Sequence, residues 1–256
     1  MYLSRIQLQD AIFAHSQLGL LLKDRSYGIH RLLWDLFDDK QRFIYREESA
    51  AKQTGASRNQ PMYYVLSQMQ PNMESPIFSV ESKLFSPVLH AGDQLSFRLR
   101  ANPTIARRAE GVKNSKRHDV VIDAQRSFLI AACAERELPT SGSKSQLRKE
   151  LQAHDDYQDK TGRERLKQEL DKVIAAAAFE WLNKRGDSRG YLLNTVQSTG
   201  YRWNALPEKG RSAGFSSLDY EGVLTVSEPE IFVKMLGDGL GPSKAFGCGL
   251  MMIRRM

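Results

Sequence analysis

The chain has 256 residues, of which 41% are hydrophobic and 26% charged, and a mean hydropathy of -0.47, which fits a globular chain of one large or two small domains and argues against disorder over most of its length. No window approaches the roughly 18 uninterrupted apolar residues of a membrane helix, and Met1 to Gln9 lacks the charged-then-apolar plan of a secretion signal, so the expectation is a cytoplasmic protein with no membrane partner. Cys133 and Cys248 are too few for a disulfide framework or a four-cysteine zinc site, while 37 basic against 30 acidic residues leave a net charge of +7 that makes nucleic acid the first partner to test.

Tyr2 to Leu8 reads as a strand, and Tyr27 to Phe37 as a helix with Ile29, Leu32, Leu33, Leu36 and Phe37 at helical spacing. Ser26 or Asp24 is the expected N-cap. Arg42 to Glu47 and Met62 to Met69 read as strands around a polar loop from Ser49 to Gln60, and Ile77 to Leu84 closes the set. The order is β-α-β-β, a poorly formed second helix, then β: the ferredoxin-like plan.

A second series opens at Gln94. Ser143 to Asp155 and Arg163 to Asn183 read as helices, the latter with Leu166, Leu170, Val173, Ile174 and Ala177 on one face. Asp155 to Gly162 is a polar break between them. Strands are expected at Tyr191 to Gln197, Ser217 to Val226 and Gly247 to Ile253, with a short helix from Glu228 to Leu236 capped by Ser227. The expected class is therefore α+β: two tandem ferredoxin-like (RRM-like) βαββαβ domains, residues 1–92 and 93–256.

Charge is concentrated. From Arg98 to His118 stand Arg98, Arg100, Arg107, Arg108, Lys113, Lys116 and Arg117 against Glu110 alone. A solvated loop would explain such a run as well as a binding strip does. Two features favour the strip. Ser96 to Arg100 alternates apolar and basic residues, so Arg98 and Arg100 project from one strand face, and Asn102-Pro103 then opens a basic, flexible hairpin suited to lie along phosphates.

Gly237 to Gly249 places Gly239, Gly241, Gly247 and Gly249 between a helix and the last strand. It is neither a Walker loop nor a dinucleotide fingerprint, since no Gly-Lys-Ser/Thr occurs and the segment follows a helix. A tight helix-to-strand connection with positive φ and a close approach to a phosphate backbone both remain open.

At these residues the chain resembles a known family. Gly239 to Gly249 (GLGPSKAFGCG), preceded by Tyr220 to Val226 (YEGVLTV), is similar to the carboxy-terminal signature of the CasE family of CRISPR-associated endoribonucleases. Met1 to Arg5, Phe97 to Thr104 and the Tyr27-x-x-His30 helix are similar to that family as well, whereas the charged stretch from Ser141 to Lys172 does not match and reads as an insertion. The resemblance implies two ferredoxin-like domains and cleavage of CRISPR precursor RNA at repeat stem-loops. It also implies retention of the mature crRNA and partnership with the other subunits of the type I-E Cascade complex.

Of the five histidines, His30 is set apart by context. Tyr27 and His30, three apart, share one helix face, so a hydroxyl and an imidazole can converge on one phosphate. Ribose supplies its own nucleophile, so a metal-independent general acid/base cut through the 2′-OH is open, giving a 2′,3′-cyclic phosphate with no cofactor. Lys244 or Arg31 would meet the charge on the phosphorane. The rival metal nuclease would need converging carboxylates, and Asp38-Asp39 and Asp155-Asp156 lie in polar segments. Arg98 to Arg117 and Lys244 are the expected RNA contacts. The alternatives are an RNA-hairpin-binding subunit without catalysis, a structural subunit gripping RNA held by neighbours, and an enzyme on a small anionic substrate.

Overall fold

A computed structural model describes residues 1–9, 27–38, 41–48, 61–108, 111, 113–206, 210 and 213–256. They form two compact units, one of Met1–Asn102 with Gly186–Met256 and the other of Pro103–Arg185.

The first unit holds two four-stranded sheets. One consists of β1 (Tyr2–Leu8), β2 (Phe43–Glu48), β3 (Met62–Ser67) and β4 (Phe78–Leu84) with helix α1 (Gly28–Trp34), in the order β2-β3-β1-β4 and antiparallel throughout. Period-two alternation assigns its faces. Ile6, Tyr45, Tyr63 and Val65 pack with Ile29, Leu32 and Leu33 of α1, while Ile44 and Leu66 of the opposite face pack with Leu250. A sheet apolar on both sides demands cover on both sides.

Helix α1 is shorter than the 27–37 periodicity suggests. Leu36 and Phe37 stay buried, but their amides bond Leu33 and Trp34 in tight turns in place of continuing the helix. Its N-cap is Tyr27, with no side-chain cap bond; Ser26 and Asp24 lie outside the described residues, as does the loop at 49–60. Seven residues are too few to hold a helix alone, so packing holds it. The weak second helix of this half does not form. Residues 70–77 carry Pro71 and Pro76, which disfavour helical propagation, and Ser75 Oγ instead accepts from the amides of Ile77 and Phe78.

The second sheet joins β5 (Gln94–Ala101), β8 (Tyr191–Ala205), β9 (Gly214–Val226) and β10 (Met251–Arg255) in the order β10-β5-β9-β8. Counted within each half, both orders read 4-1-3-2, so the ferredoxin-like plan occurs twice. β8 runs well past Gln197 to Ala205, its register shifting between Thr199 and Arg202, where Gly200 takes φ +67. Helix α6 (Pro229–Asp238) is capped by Glu228 without a side-chain bond. Ser227 is therefore not the cap, and Pro229, lacking an N–H, stands where none is needed. The last strand begins at Met251 because positive φ at Gly247 and Gly249 keeps the preceding residues out of the sheet.

The second unit contains β6 (Thr104–Arg107), β7 (Lys116–Asp119), α2 (Val120–Ala134), α3 (Lys144–Ala153) and α4 (Lys160–Asn183); the four-residue α5 (Gly186–Arg189) follows in the first unit. The basic stretch expected to be a flexible hairpin includes a paired antiparallel ribbon, Thr104 opposite Asp119 and Arg107 opposite Lys116. Helix α2 has no counterpart among the sequence expectations. Asp119 caps it, accepting from the amides of Val121 and Ile122 at 2.8 and 3.0 Å. Ser143 and Gln146 form a capping box on α3. Leu129, Cys133, Leu147, Leu151, Leu166 and Leu170 close one core over α2 to α4, so residues 141–172 belong to a packed helical layer. Among the described residues no helix is long and apolar enough to cross a membrane.

Candidate active site

Tyr27 and His30 meet as their spacing predicts. Their rings stack with centroids 5.1 Å apart and 24° between planes. The imidazole also stacks on Phe43 at 5.0 Å and tilts against Trp34 and Tyr45, leaving His30 only 6% exposed. Burial disfavours the charged ring and lowers its pKa. Nδ1 has no hydrogen-bond partner among the described residues, and an unprotonated nitrogen tolerates that position far better than an N–H. His30 is thus held toward the neutral form.

The glycine-rich segment closes over this pair. The Gly249 amide donates to Arg100 O at 2.7 Å, Asn102 Nδ2 donates to Ser243 Oγ at 2.8 Å, and the Tyr45 hydroxyl donates to Ala245 O at 3.2 Å. One segment therefore ties β2 to β5. It sets Phe246 against Tyr27 at 5.9 Å and against Phe215 at 4.9 Å. Ser243 and Gly247 both take left-handed conformations around the turn at Lys244–Phe246. The Lys244 stem runs beside Gly239 and Gly249, where any side chain would crowd it. Gly241 also has positive φ.

Beside the aromatic cluster lies a cleft of about 150 Å³ lined by Tyr45, Glu47, Arg100, Arg202, Asn204 and Phe246, among others. Arg100 is held by a bidentate pair with Asp219, Nε to Oδ1 at 3.0 Å and Nη2 to Oδ2 at 2.9 Å. Burial alone would lower the Arg100 pKa, but the Asp219 bonds outweigh it and the pKa rises. Burial raises the Tyr45 phenol well above its usual value and pushes the Cys248 thiol up to about 12. Both stay neutral at physiological pH. Behind the cleft, Arg46 on β2 is fully buried, bonded to Glu48 and 3.4 Å from Asp219.

The predicted RNA contacts separate. Arg98 shares its strand face with Arg100, but stands in a wider, open groove with Met252 and Arg254 and pairs with Glu221 at 3.3 Å. Neither arginine is an unopposed charge: in the β5–β9 register Arg98 faces Glu221 and Arg100 faces Asp219. Arg107, Arg108, Lys113, Lys116 and Arg117 are exposed residues of the second unit, and Arg107 pairs with Asp123 at 2.8 Å. Among the described residues no group of three or more His, Cys, Asp or Glu is arranged to hold a metal ion.

Tyr45, Arg46, Glu47, Arg202, Asn204 and Asp219 were not foreseen. One signal was readable: Asp219-x-Glu221 repeats the spacing of Arg98-x-Arg100 with opposite charge, which two antiparallel neighbours can match.

A family model described as CRISPR associated protein matches residues 1–255. The Escherichia coli (strain K12) protein described as CRISPR system Cascade subunit CasE is 22% identical over 234 residues, covering 89% of this chain and 90% of its own length. Two solved structures share the fold at 21% identity. CRISPR endoribonuclease Cse3 bound to 19 nt RNA aligns with a TM-score of 0.62, covering 99% of this chain and 100% of that one. Thermus thermophilus Cse3 bound to an RNA representing a pre-cleavage complex aligns at 0.60, covering 99% and 98%.

Proposed function

This chain belongs to the CRISPR-associated protein family whose model spans it, and from that membership we propose that it is an endoribonuclease that cuts CRISPR precursor RNA at repeat stem-loops without a metal ion. The product stays bound, and the protein works as a Cascade subunit in the cytoplasm. The observation that carries this reading is the stacked Tyr27–His30 pair, whose ring neighbours Phe246 and Tyr45 line a cleft walled by Arg100 and Arg202. The names of the similar proteins, an RNA-bound endoribonuclease and a Cascade subunit, support it.

In this mechanism the 2′-oxygen attacks the adjacent phosphorus while the bond to the 5′-oxygen breaks, leaving a 2′,3′-cyclic phosphate and a 5′-OH. Neutral His30 removes the 2′-OH proton. The Tyr27 hydroxyl orients the phosphate or returns a proton to the leaving oxygen, and cationic side chains, Lys244 or Arg31 among them, meet the phosphorane charge. Arg98, Arg100, Arg107, Arg108, Lys113, Lys116, Arg117 and Lys244 hold the stem, and Gly239, Gly241, Gly247 and Gly249 bring the backbone close to it. The working domains are 1–92 and 93–256, a division supported by the two repeated strand orders.

The burial of His30 among Tyr27, Phe43 and Trp34 favours one second reading, an RNA-hairpin-binding subunit in which the ring only packs. The test is incubation of the purified protein with a CRISPR repeat hairpin RNA in EDTA, comparing wild type with His30→Ala. Cutting by wild type alone, with equal binding, supports the nuclease; binding without cutting by either supports the second reading.

A further inference from the structure

Arg46 is the least expected charge in the fold. Its side chain is 1% exposed, Nε bonds Glu48, and both Nη1 and Nη2 lack hydrogen-bond partners among the described residues. A guanidinium carries five donors, and burying it with most of them unspent is costly unless the charge serves something nearby. Its terminal nitrogen lies 3.4 Å from Asp219 Oδ1, the same carboxylate whose two oxygens accept from Arg100. Asp219 is thus shared between a cation behind it and a cation in front.

Consecutive strand residues point to opposite faces, and β2 uses this. Tyr45 reaches His30 and the glycine-rich segment, while Arg46 turns to Asp219. We propose that Arg46 is a positioning residue: through Asp219 it fixes the plane of the Arg100 guanidinium, so that an RNA phosphate meets a preset donor fork in the cleft that Tyr45 and Phe246 also line. The inference deepens the nuclease reading and rests on it for the identity of the ligand. Arg46 itself touches no ligand. A planar guanidinium addresses Glu48 and Asp219 together, whereas a lysine ammonium has a single nitrogen and no fork. Fixing Arg100 in advance spares RNA the ordering cost at binding.

The test uses the full chain with Arg46→Lys, which keeps the charge, and Arg46→Met, which removes it. In the free protein, the Arg100 Nε–H resonance is followed by ¹⁵N NMR. It should be sharp and protected from exchange in wild type, and broadened or lost in Arg46→Lys at a temperature where circular dichroism reports a folded chain. Hairpin RNA carrying a 2′-deoxy scissile ribose is then titrated. Arg46→Lys should weaken its binding about tenfold alone and less than twofold in an Arg100→Ala background. An unchanged Arg100 resonance, or the same weakening with and without Arg100, overturns the proposal; a general loss of stability would give that second pattern. Should Arg46→Met fail to fold, Arg46→Lys carries the test. Failure of the wild type to bind the RNA would contradict the nuclease reading instead, and the NMR arm would still decide the role of Arg46.

Discussion

Tyr27 stacks on His30 across a single helical turn, centroids 5.1 Å apart, so hydroxyl and imidazole are presented as one unit from a helix of seven residues. His30→Ala should cut the single-turnover rate on a repeat hairpin by about a hundredfold to ten-thousandfold, the span of general acid/base contributions, with RNA affinity within threefold. Tyr27→Phe keeps the stack and removes only the hydroxyl. It should slow cleavage by far more than any loss of folded chain accounts for, as quench-flow and thermal unfolding would show.

Burial sets the pH response. The pKa of folded His30 lies below the ordinary 6.5, so a base-limited rate rises with pH along a limb centred below 6.5 and is level above it. Stability moves in the same direction: as pH falls through 6.5 the unfolded chain takes up a proton that the folded chain refuses. The loss should stop growing once pH is below the folded pKa. Denaturant unfolding from pH 5 to 8, wild type against His30→Gln, isolates this component, and the variant should lack it.

Arg98 and Arg100 are chemically alike but differently housed. The Arg98–Glu221 pair is half-exposed on both sides and is worth about 0–1 kcal/mol, so Arg98→Ala should barely alter stability. Arg100→Ala removes both charge-assisted bonds that Arg100 gives the largely buried Asp219 carboxylate, which keeps Arg46 3.4 Å away. A loss of roughly 2–3 kcal/mol is expected, below the full figure for a buried pair because some solvent reaches it. Urea unfolding gives both values, and titrations of 2′-deoxy hairpin RNA should show the larger affinity loss for Arg100→Ala.

Gly239 follows α6 with φ 71 and ψ 152, a region open almost solely to glycine, and a Cβ there would stand 3.0 Å from Ile44 Cδ1. Gly239→Ala should destabilise the protein by about 1–3 kcal/mol and loosen the segment that carries Phe246 onto Tyr27. Thermal unfolding and Phe246 side-chain NMR check the two effects separately.

Local chemistry made part of this molecule readable from sequence. Alternation along Tyr2–Leu8 and Gln94–Ala101 and the helical spacing around His30 are nearest-neighbour signals, and each yielded the right element. The basic hairpin was expected, but its pairing of Thr104–Arg107 with Lys116–Asp119 was not, because arms of four residues are too short for a period to stand out. Helix α2 lay concealed behind that basic run, although Asp119 offered an N-cap. The cleft was hidden for a different reason: β2, β5, β8, β9 and the glycine-rich segment each contribute one or two residues; strand register sets Arg100 opposite Asp219, and only the packing of one sheet on the other brings Arg46 to that carboxylate.

The central claim is that RNA supplies the nucleophile and this chain supplies the acid/base pair. Its most direct measurement compares an all-ribose repeat hairpin with one bearing a single 2′-deoxy sugar at the scissile position, both in excess EDTA, followed by end-group analysis of the products. The expected result is cleavage of the ribose substrate to a 2′,3′-cyclic phosphate and a 5′-OH, with the deoxy substrate bound but intact. Cleavage of the deoxy substrate, or cleavage that stops in EDTA and returns with a divalent ion, would contradict it.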